Sequence, residues 1–275
     1  ESESNKGLVN IYHWVSGDWQ KKGGSIWGTY EDEFSGEELD MPDSNTIAIG
    51  SPQTGEINGG SVGNIRIFQY SNNEWVQKGN NIYGQFGGDE VGKGFSMSDK
   101  NTIAVCYDAQ DIAKVFEWNG NDWVQKGPSI LLEDISQSIS LYDNSTVAIV
   151  GDNQTEVYNW NGYYWAPQGT PILFNGGISV SMGGPNTLSI TNDQSVALFR
   201  YQDGDWLLKT QTYNSPGSVV MGNPNILSIP GQVFKYIPEI NEEGCEEFSM
   251  INLTINDPAI SGCTNSEYCN YDFEA

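Results

Sequence analysis

Basic side chains are scarce in this 275-residue chain, which has 12 Lys and Arg against 36 Asp and Glu. The formal charge of −24 repels phosphate backbones and anionic lipid, so nucleic acid is excluded as a partner and direct membrane insertion is not expected. There is one histidine, His13. It stands in a strand pattern beside aromatics, where packing or plain exposure is expected, so nucleophilic triads and zinc sites are set aside. No run of 18 apolar residues occurs, so no helix of the membrane-spanning kind is expected. Long stretches of Ala, Leu, Glu and Lys are missing too, and with them any helix for a Gly-rich phosphate loop to open. The opening ESESNKG has neither a signal-peptide pattern nor an initiator Met, as expected of a mature or trimmed N-terminus.

Cysteine is sparse, with four in all. Cys245, Cys263 and Cys269 crowd towards the end, which suits an oxidising compartment, and two of the three are expected to form a disulfide, with three single pairings open. Cys106 falls in an apolar strand pattern and is expected to be a buried small residue.

What the chain does have is glycine (32), tryptophan (9) and tyrosine (14), arranged in a repeat. One block reads WVSGDWQKKGGSI from Trp14, YSNNEWVQKGNNI from Tyr70, WNGNDWVQKGPSI from Trp118, WNGYYWAPQGTPI from Trp160 and YQDGDWLLKTQTY from Tyr201. Its second aromatic is Trp19, Trp75, Trp123, Trp165 and Trp206, separated by 56, 48, 42 and 41 residues, the range of a four-stranded propeller blade. Four places on stand Gly23, Gly79, Gly127, Gly169 and Thr210; three further on stand Ile26, Ile82, Ile130, Ile172 and Tyr213.

A second block alternates with it: LDMPDSNTIAIG, FSMSDKNTIAVC, ISLYDNSTVAIV, VSMGGPNTLSIT and VVMGNPNILSIP. Each reads as two β-branched strands joined by an Asp, Asn, Gly or Pro turn. Met41, Met97, Leu141, Met182 and Met221 share one slot and are expected in the core. A third strand carries Phe68, Phe116, Tyr158, Phe199 and Phe234. The unit is four antiparallel strands with the Trp strand outermost, and the fold class is an all-β propeller of five or six blades. The Trp strand from Asp18 to Ile26 has no hairpin before it and the last blade lacks its own, so closure by the N-terminal strand pairing near Gln232 to Ile237 is expected. Residues 1–238 form the propeller, 239–258 a short β linker and 259–275 the start of a Cys-containing module.

These residues resemble the FG-GAP class of propeller repeats, related to the integrin α-subunit head. The best stretch is NIRIFQYSNNEWVQKGNNIYGQFGGDEVGKGFSMSDKNTIAV, from Asn64 to Val105, similar to a Trp-Gln-Gly variety common in secreted proteins of marine microbes. The resemblance covers residues 8 to 238 and is weakest in the last two repeats. The tail GCTNSEYCNYDFEA, from Gly262, looks like GCTDPTACNYDPEA modules of bacterial surface proteins.

The resemblance implies calcium held by a DxDxDG-like loop between the first and second strands. Here that loop is PDSN, SDKN, YDNS, GGPN or GNPN, and Asp43, Asp99 and Asp143 read as turn formers. The acidic stretch with Glu31, Asp32, Glu33 and Glu37 is the remaining candidate for a cation such as Ca2+; no other cofactor is expected. A ring of paired catalytic acids around the axis is incomplete: the counterparts of blade-leading Asp89 and Glu90 are Glu133 and Asp134, then Asn175, then Ser215. The sequence reads as a non-enzymatic extracellular module. It recognises glycan or protein through propeller loops, with Gly50, Pro52, Glu56 and Asn58 of the long insertion as candidate contacts. A structural subunit that self-associates in an extracellular appendage is the alternative, and a glycoside-active enzyme a distant third. Asn144, Asn153 and Asn252 are N-x-S/T sequons that carry glycans only in a eukaryotic or viral secretory product.

Overall fold

The computed structural model describes residues 5–133, 136–213, 220–223, 226–229, 232–240 and 246–253. The chain opens with a partial sheet N. Its third-strand segment is split into β1 (Leu8–Val9) and β2 (Tyr12–Val15), followed by β3 (Asp18–Lys21) and β4 (Ile26–Trp27). β2 pairs with β3 and β1 with β4. Sheet A has β5 (Leu39–Asp43) and β6 (Thr46–Ser51), then an inserted hairpin β7 (Glu56–Ile57) and β8 (Gly60–Ser61). It is completed by β9 (Asn64–Ser71), β10 (Glu74–Gln77) and β11 (Ile82–Tyr83).

Sheet B repeats the plan with β12 (Phe95–Asp99), β13 (Thr102–Tyr107), β14 (Ile112–Trp118), β15 (Trp123–Gln125) and β16 (Ile130–Leu131). Sheet C follows with β17 (Ser136–Leu141), β18 (Thr146–Gly151), β19 (Gln154–Trp160), β20 (Trp165–Pro167) and β21 (Ile172–Leu173). Sheet D is β22 (Ser179–Gly184), β23 (Thr187–Thr191), β24 (Ser195–Gln202) and β25 (Asp205–Tyr213). Sheet E is β26 (Val220–Asn223), β27 (Ile226–Ile229), β28 (Gln232–Ile240) and β29 (Glu246–Leu253). Every named strand pair is antiparallel, and the four long strands of each of sheets A to E lie in chain order.

The repeat explains the local geometry. Asp43, Asp99 and Asp143 each accept the amide of the residue two places on, at 2.7, 2.6 and 2.8 Å, so they are turn formers as expected. Gly79 and Gly127 adopt φ of +76° and +70°, where a side chain is strained. The chain there leaves the Trp strand and returns as a short piece on the same third strand. The second strands are buried on both faces, as in TIAIGS and TIAVCY, because each sheet is covered front and back by its neighbours.

The core consists of the layers between sheets. Ile65, Ile67 and Val91 of the A side pack on Phe95, Met97 and Trp123 of sheet B. Cys106 and Val115 of B pack on Ile139 and Trp165 of C, and Val157 and Phe174 of the C side pack on Leu188 and Trp206 of D. Cys106 is the expected buried residue, its thiol pushed up to about 12 by burial. Met97, Leu141, Met182 and Met221 are core residues as expected; Met41 is 41% exposed, since sheet N contributes no first or second strand to cover it.

Two expectations are corrected. The N-terminal Trp strand pairs with β2, not with β28, whose free edge is taken along its length by β29. A strand adjacent in sequence reaches that edge with a short connection, whereas residues 18–26 would have to close across the whole chain. The domain boundary at 238 therefore falls inside β28, and the supposed linker supplies the fourth strand of sheet E. Cys245, Cys263 and Cys269 lie outside the described residues.

Candidate binding site

Two latches repeat between neighbouring sheets and set the spacing of any cleft between them. On the outer side the indole Nε1 of Trp75, Trp123, Trp165 and Trp206 donates to the carbonyl of Lys22, Lys78, Lys126 and Gln168, at 2.7, 2.8, 3.1 and 2.8 Å. On the inner side the amides of Met97, Leu141, Met182 and Met221 donate to side chains of Asp40, Ser96, Ser140 and Ser181. Burial raises the pKa of the Asp40 carboxyl against the opposing pull of the Met97 and Met41 amides and the Ser96 hydroxyl.

Between sheets A and B, under the outer latch, lies a cavity of about 190 Å³ bordered by Asn81, Tyr83, Gln85, Tyr107, Lys114 and Trp123. It arises from a repeat position that changes chemistry. In sheet A that position is Arg66, in sheet B Lys114. Arg66 spends both terminal nitrogens: Nη2 on Ser35 Oγ at 2.7 Å and on the Glu33 carboxylate at 3.6 Å, Nη1 on Trp27 O at 3.1 Å. Glu33 in turn accepts the amides of Thr29 and Tyr30.

Sheet B has the same loop with shorter groups. Asp89 replaces Glu33 and accepts the amides of Gln85 and Phe86 at 2.7 and 2.9 Å. Both acid and base have lost reach, and no ion pair closes between Asp89 and Lys114 among the described residues. Asp89 is 0% exposed and its Oδ1 has no protein partner. Lys114 is 6% exposed; its Nζ lies 4.0 Å from the Tyr107 ring centroid and reaches Gln85 Oε1 only at 3.5 Å. Burial lowers the Lys114 pKa, with the Asp89 charge opposing. The Tyr107 phenol is pushed up by burial first and by Asp89 second. The site therefore offers ammonium donors with little else to bond, beside the half-exposed ring of Tyr83 and the rings of Phe116 and Trp123. Asp122, also on the rim, is engaged by both nitrogens of Asn80 and by the Trp123 amide, which hold its carboxyl below the usual range.

The residues singled out from sequence fare differently. Gly50 and Pro52 are buried: a Cβ on Gly50 would stand 2.0 Å from Gly92 O, so neither is a contact. Glu56 and Asn58 are exposed on the β7–β8 hairpin, with Asn58 at φ +53°. Glu33 turns inward to Arg66, whereas Glu31, Asp32 and Glu37 are exposed and Asp32 is bonded to Asn5. The four are not gathered, and among the described residues no group of three or more His, Cys, Asp or Glu is placed to hold a metal ion. His13 is exposed, as are Asn144 and Asn153; Asn252 lies in β29 opposite Phe234. Sequence reasoning missed Lys114. The signal was a polar residue at one inward slot of an otherwise apolar third strand: Asn10, Arg66, Lys114 and Glu156.

No family model matches the sequence, and no curated protein sequence matches it. Solved structures do. A functionally unknown protein from Desulfotomaculum acetoxidans matches with a TM-score of 0.59 at 9% identity, over 90% of this chain and 83% of that one. A protein from Bacteroides uniformis, provisionally described as a 6-phosphogluconolactonase, matches at 0.60 and 11% identity over 92% and 80%. Hsv2 from Kluyveromyces lactis matches at 0.56 and 11% over 85% and 76%. At such identities the likeness concerns the fold alone: the chain is all-β and propeller-like.

Proposed function

We propose that the chain is a non-enzymatic, secreted recognition module of the FG-GAP-like propeller class, built of five complete blades and an N-terminal half-blade, and that it binds a glycan. The observation that carries this reading is the Lys114 ammonium. It borders a cavity of about 190 Å³ with one bond at 3.5 Å to its name, next to aromatic rings. A cavity smaller than the roughly 300–1,000 Å³ of drug-sized pockets suits a single ring. Hydroxyls accept from the ammonium and from the side-chain amide of Gln85, while the CH face of a sugar lies against Tyr83. The nearby Asp89 charge offsets Lys114, which favours a neutral hydroxylated ring over an anionic one. Asp122 is the one carboxylate on the rim and is fully engaged, which supports binding without hydrolysis.

The test is a titration of the full chain with neutral and acidic oligosaccharides by calorimetry. Saturable binding of a neutral sugar, weakened at least about tenfold by Lys114→Met and by Tyr83→Ala, is expected. Binding unaffected by either change, or no binding to any sugar at about 10 mM, would discard the site.

A further inference from the structure

The outer latch has an unfilled position at one end of the repeat. Each second-aromatic Trp from Trp75 to Trp206 is capped by the Lys or Gln carbonyl of the preceding sheet. Each cap is followed by Gly23, Gly79, Gly127 or Gly169, where an added Cβ would stand 2.9, 2.6, 2.2 or 3.1 Å from the neighbouring sheet's side chains. The Lys ammonium then lies over the same rings, as Lys78 does 5.0 Å from Trp118 and 5.2 Å from Trp123. Sheet N carries an equivalent pair, Trp14 and Trp19, with centroids 5.5 Å apart. This pair is 55% and 53% exposed, whereas Trp123, Trp165 and Trp206 are 8% or less. The Trp19 indole N–H finds no protein acceptor among the described residues.

We infer that Trp14 and Trp19 form a docking socket for the outer strand of another polypeptide, one that presents Lys or Gln followed by Gly. The molecule itself displays the required contact four times, and that defines the occupant's chemistry. No segment outside the described residues contains Lys or Gln, so none of them carries the Lys/Gln-Gly pattern of the latch. A second copy does not supply it either, since its four Lys/Gln-Gly strands already hold their own Trp residues. Thr210 stands where the fifth glycine would be, at a position where an added Cβ on Gly79 would already stand 2.6 Å from the neighbouring Trp118 ring. Charge agrees: exposed Asp18, Glu31, Asp32 and Glu37 lie on the same N-terminal segment and complement a Lys-bearing strand. Exposed Tyr12 and Trp27 extend the apolar surface.

The probe is a cyclised, labelled hairpin copying residues 64–83, titrated into the full chain by fluorescence anisotropy. Cyclisation limits the ordering cost of an isolated hairpin. Saturable binding below about 1 mM is expected, weakened at least about tenfold by Trp19→Ala in the chain and by Gly79→Val in the hairpin. Lys78→Gln in the hairpin should hold affinity within about threefold, since Gln168 performs the same role. The inference is overturned by absence of saturation, by indifference to Trp19→Ala, or by a self-dimer of the chain that Trp19→Ala abolishes. The last outcome would assign the face to a second copy.

Discussion

The indole nitrogen of Trp123 donates at 2.8 Å to the backbone carbonyl of Lys78, 45 residues earlier, and both groups are buried. The bond ties the outer strand of one sheet to that of the next. Its partner below is the inner bond from the Met97 amide to Asp40 Oδ2, at 2.7 Å. With one tie near the inner strand and one near the outer, each sheet is held against its neighbour at two separated points. Apolar layers alone would leave sliding open, because hydrophobic burial is not directional.

Removing that bond should be costly and position-dependent. Trp123→Phe leaves the buried Lys78 carbonyl without its donor, a loss of about 1–3 kcal/mol. Trp19→Phe changes an exposed residue and should stay within about 0.5 kcal/mol. Urea unfolding of both variants measures the contrast; equal effects would mean the outer latch contributes nothing.

Two glycines with the same backbone hand separate strain from crowding. Gly120 (φ +99°) has no atom within 4 Å of an added Cβ, whereas at Gly127 (φ +70°) the Trp160 ring is 2.2 Å away. Both Ala variants carry a left-handed penalty of roughly 1–2 kcal/mol. Gly127→Ala should lose about 1–3 kcal/mol more, from overpacking. Thermal melts of the pair check this.

Lys114 should leave a signature in alkaline stability. Its folded pKa lies below the unfolded value, so the unfolded chain binds more protons between the two and stability rises with pH across that window. Below it both states are protonated and the cost of burying the charge is fully present. Lys114→Met removes this slope, so the melting difference between variant and wild type should favour the variant near neutral pH and shrink as pH approaches about 10.4. A pH-independent difference would show that Lys114 titrates normally.

Calcium should have little hold on stability. Glu31, Asp32 and Glu37 are exposed and Glu33 is committed to Arg66. Chelator should shift the melting midpoint by no more than about 1–2 °C; a shift several times larger would mean that a tight ion binds the native state.

Period, strand order and the outermost place of the Trp strand were legible in the sequence. They depend on local chemistry: alternating apolar residues, Asx turns at Asp43, Asp99 and Asp143, and glycines four places after the first four repeat Trp residues. The core role of Met97, Leu141 and Met182 followed from the same register. Three matters needed the tertiary structure. Which strand covers the edge of β28 depends on competition between a neighbour in sequence and a distant one, which pattern alone does not rank. Whether Glu33 faces a cation or Arg66 depends on the side chain opposite it, 33 residues away. The cavity beside Lys114 exists because two groups, Asp89 in a loop and Lys114 in a strand, are each shorter than their counterparts in sheet A, so a charge pair that closes there stays open here. Local preference acts along the chain, but fit between side chains brought together by folding is a property of distances that no single stretch of sequence contains.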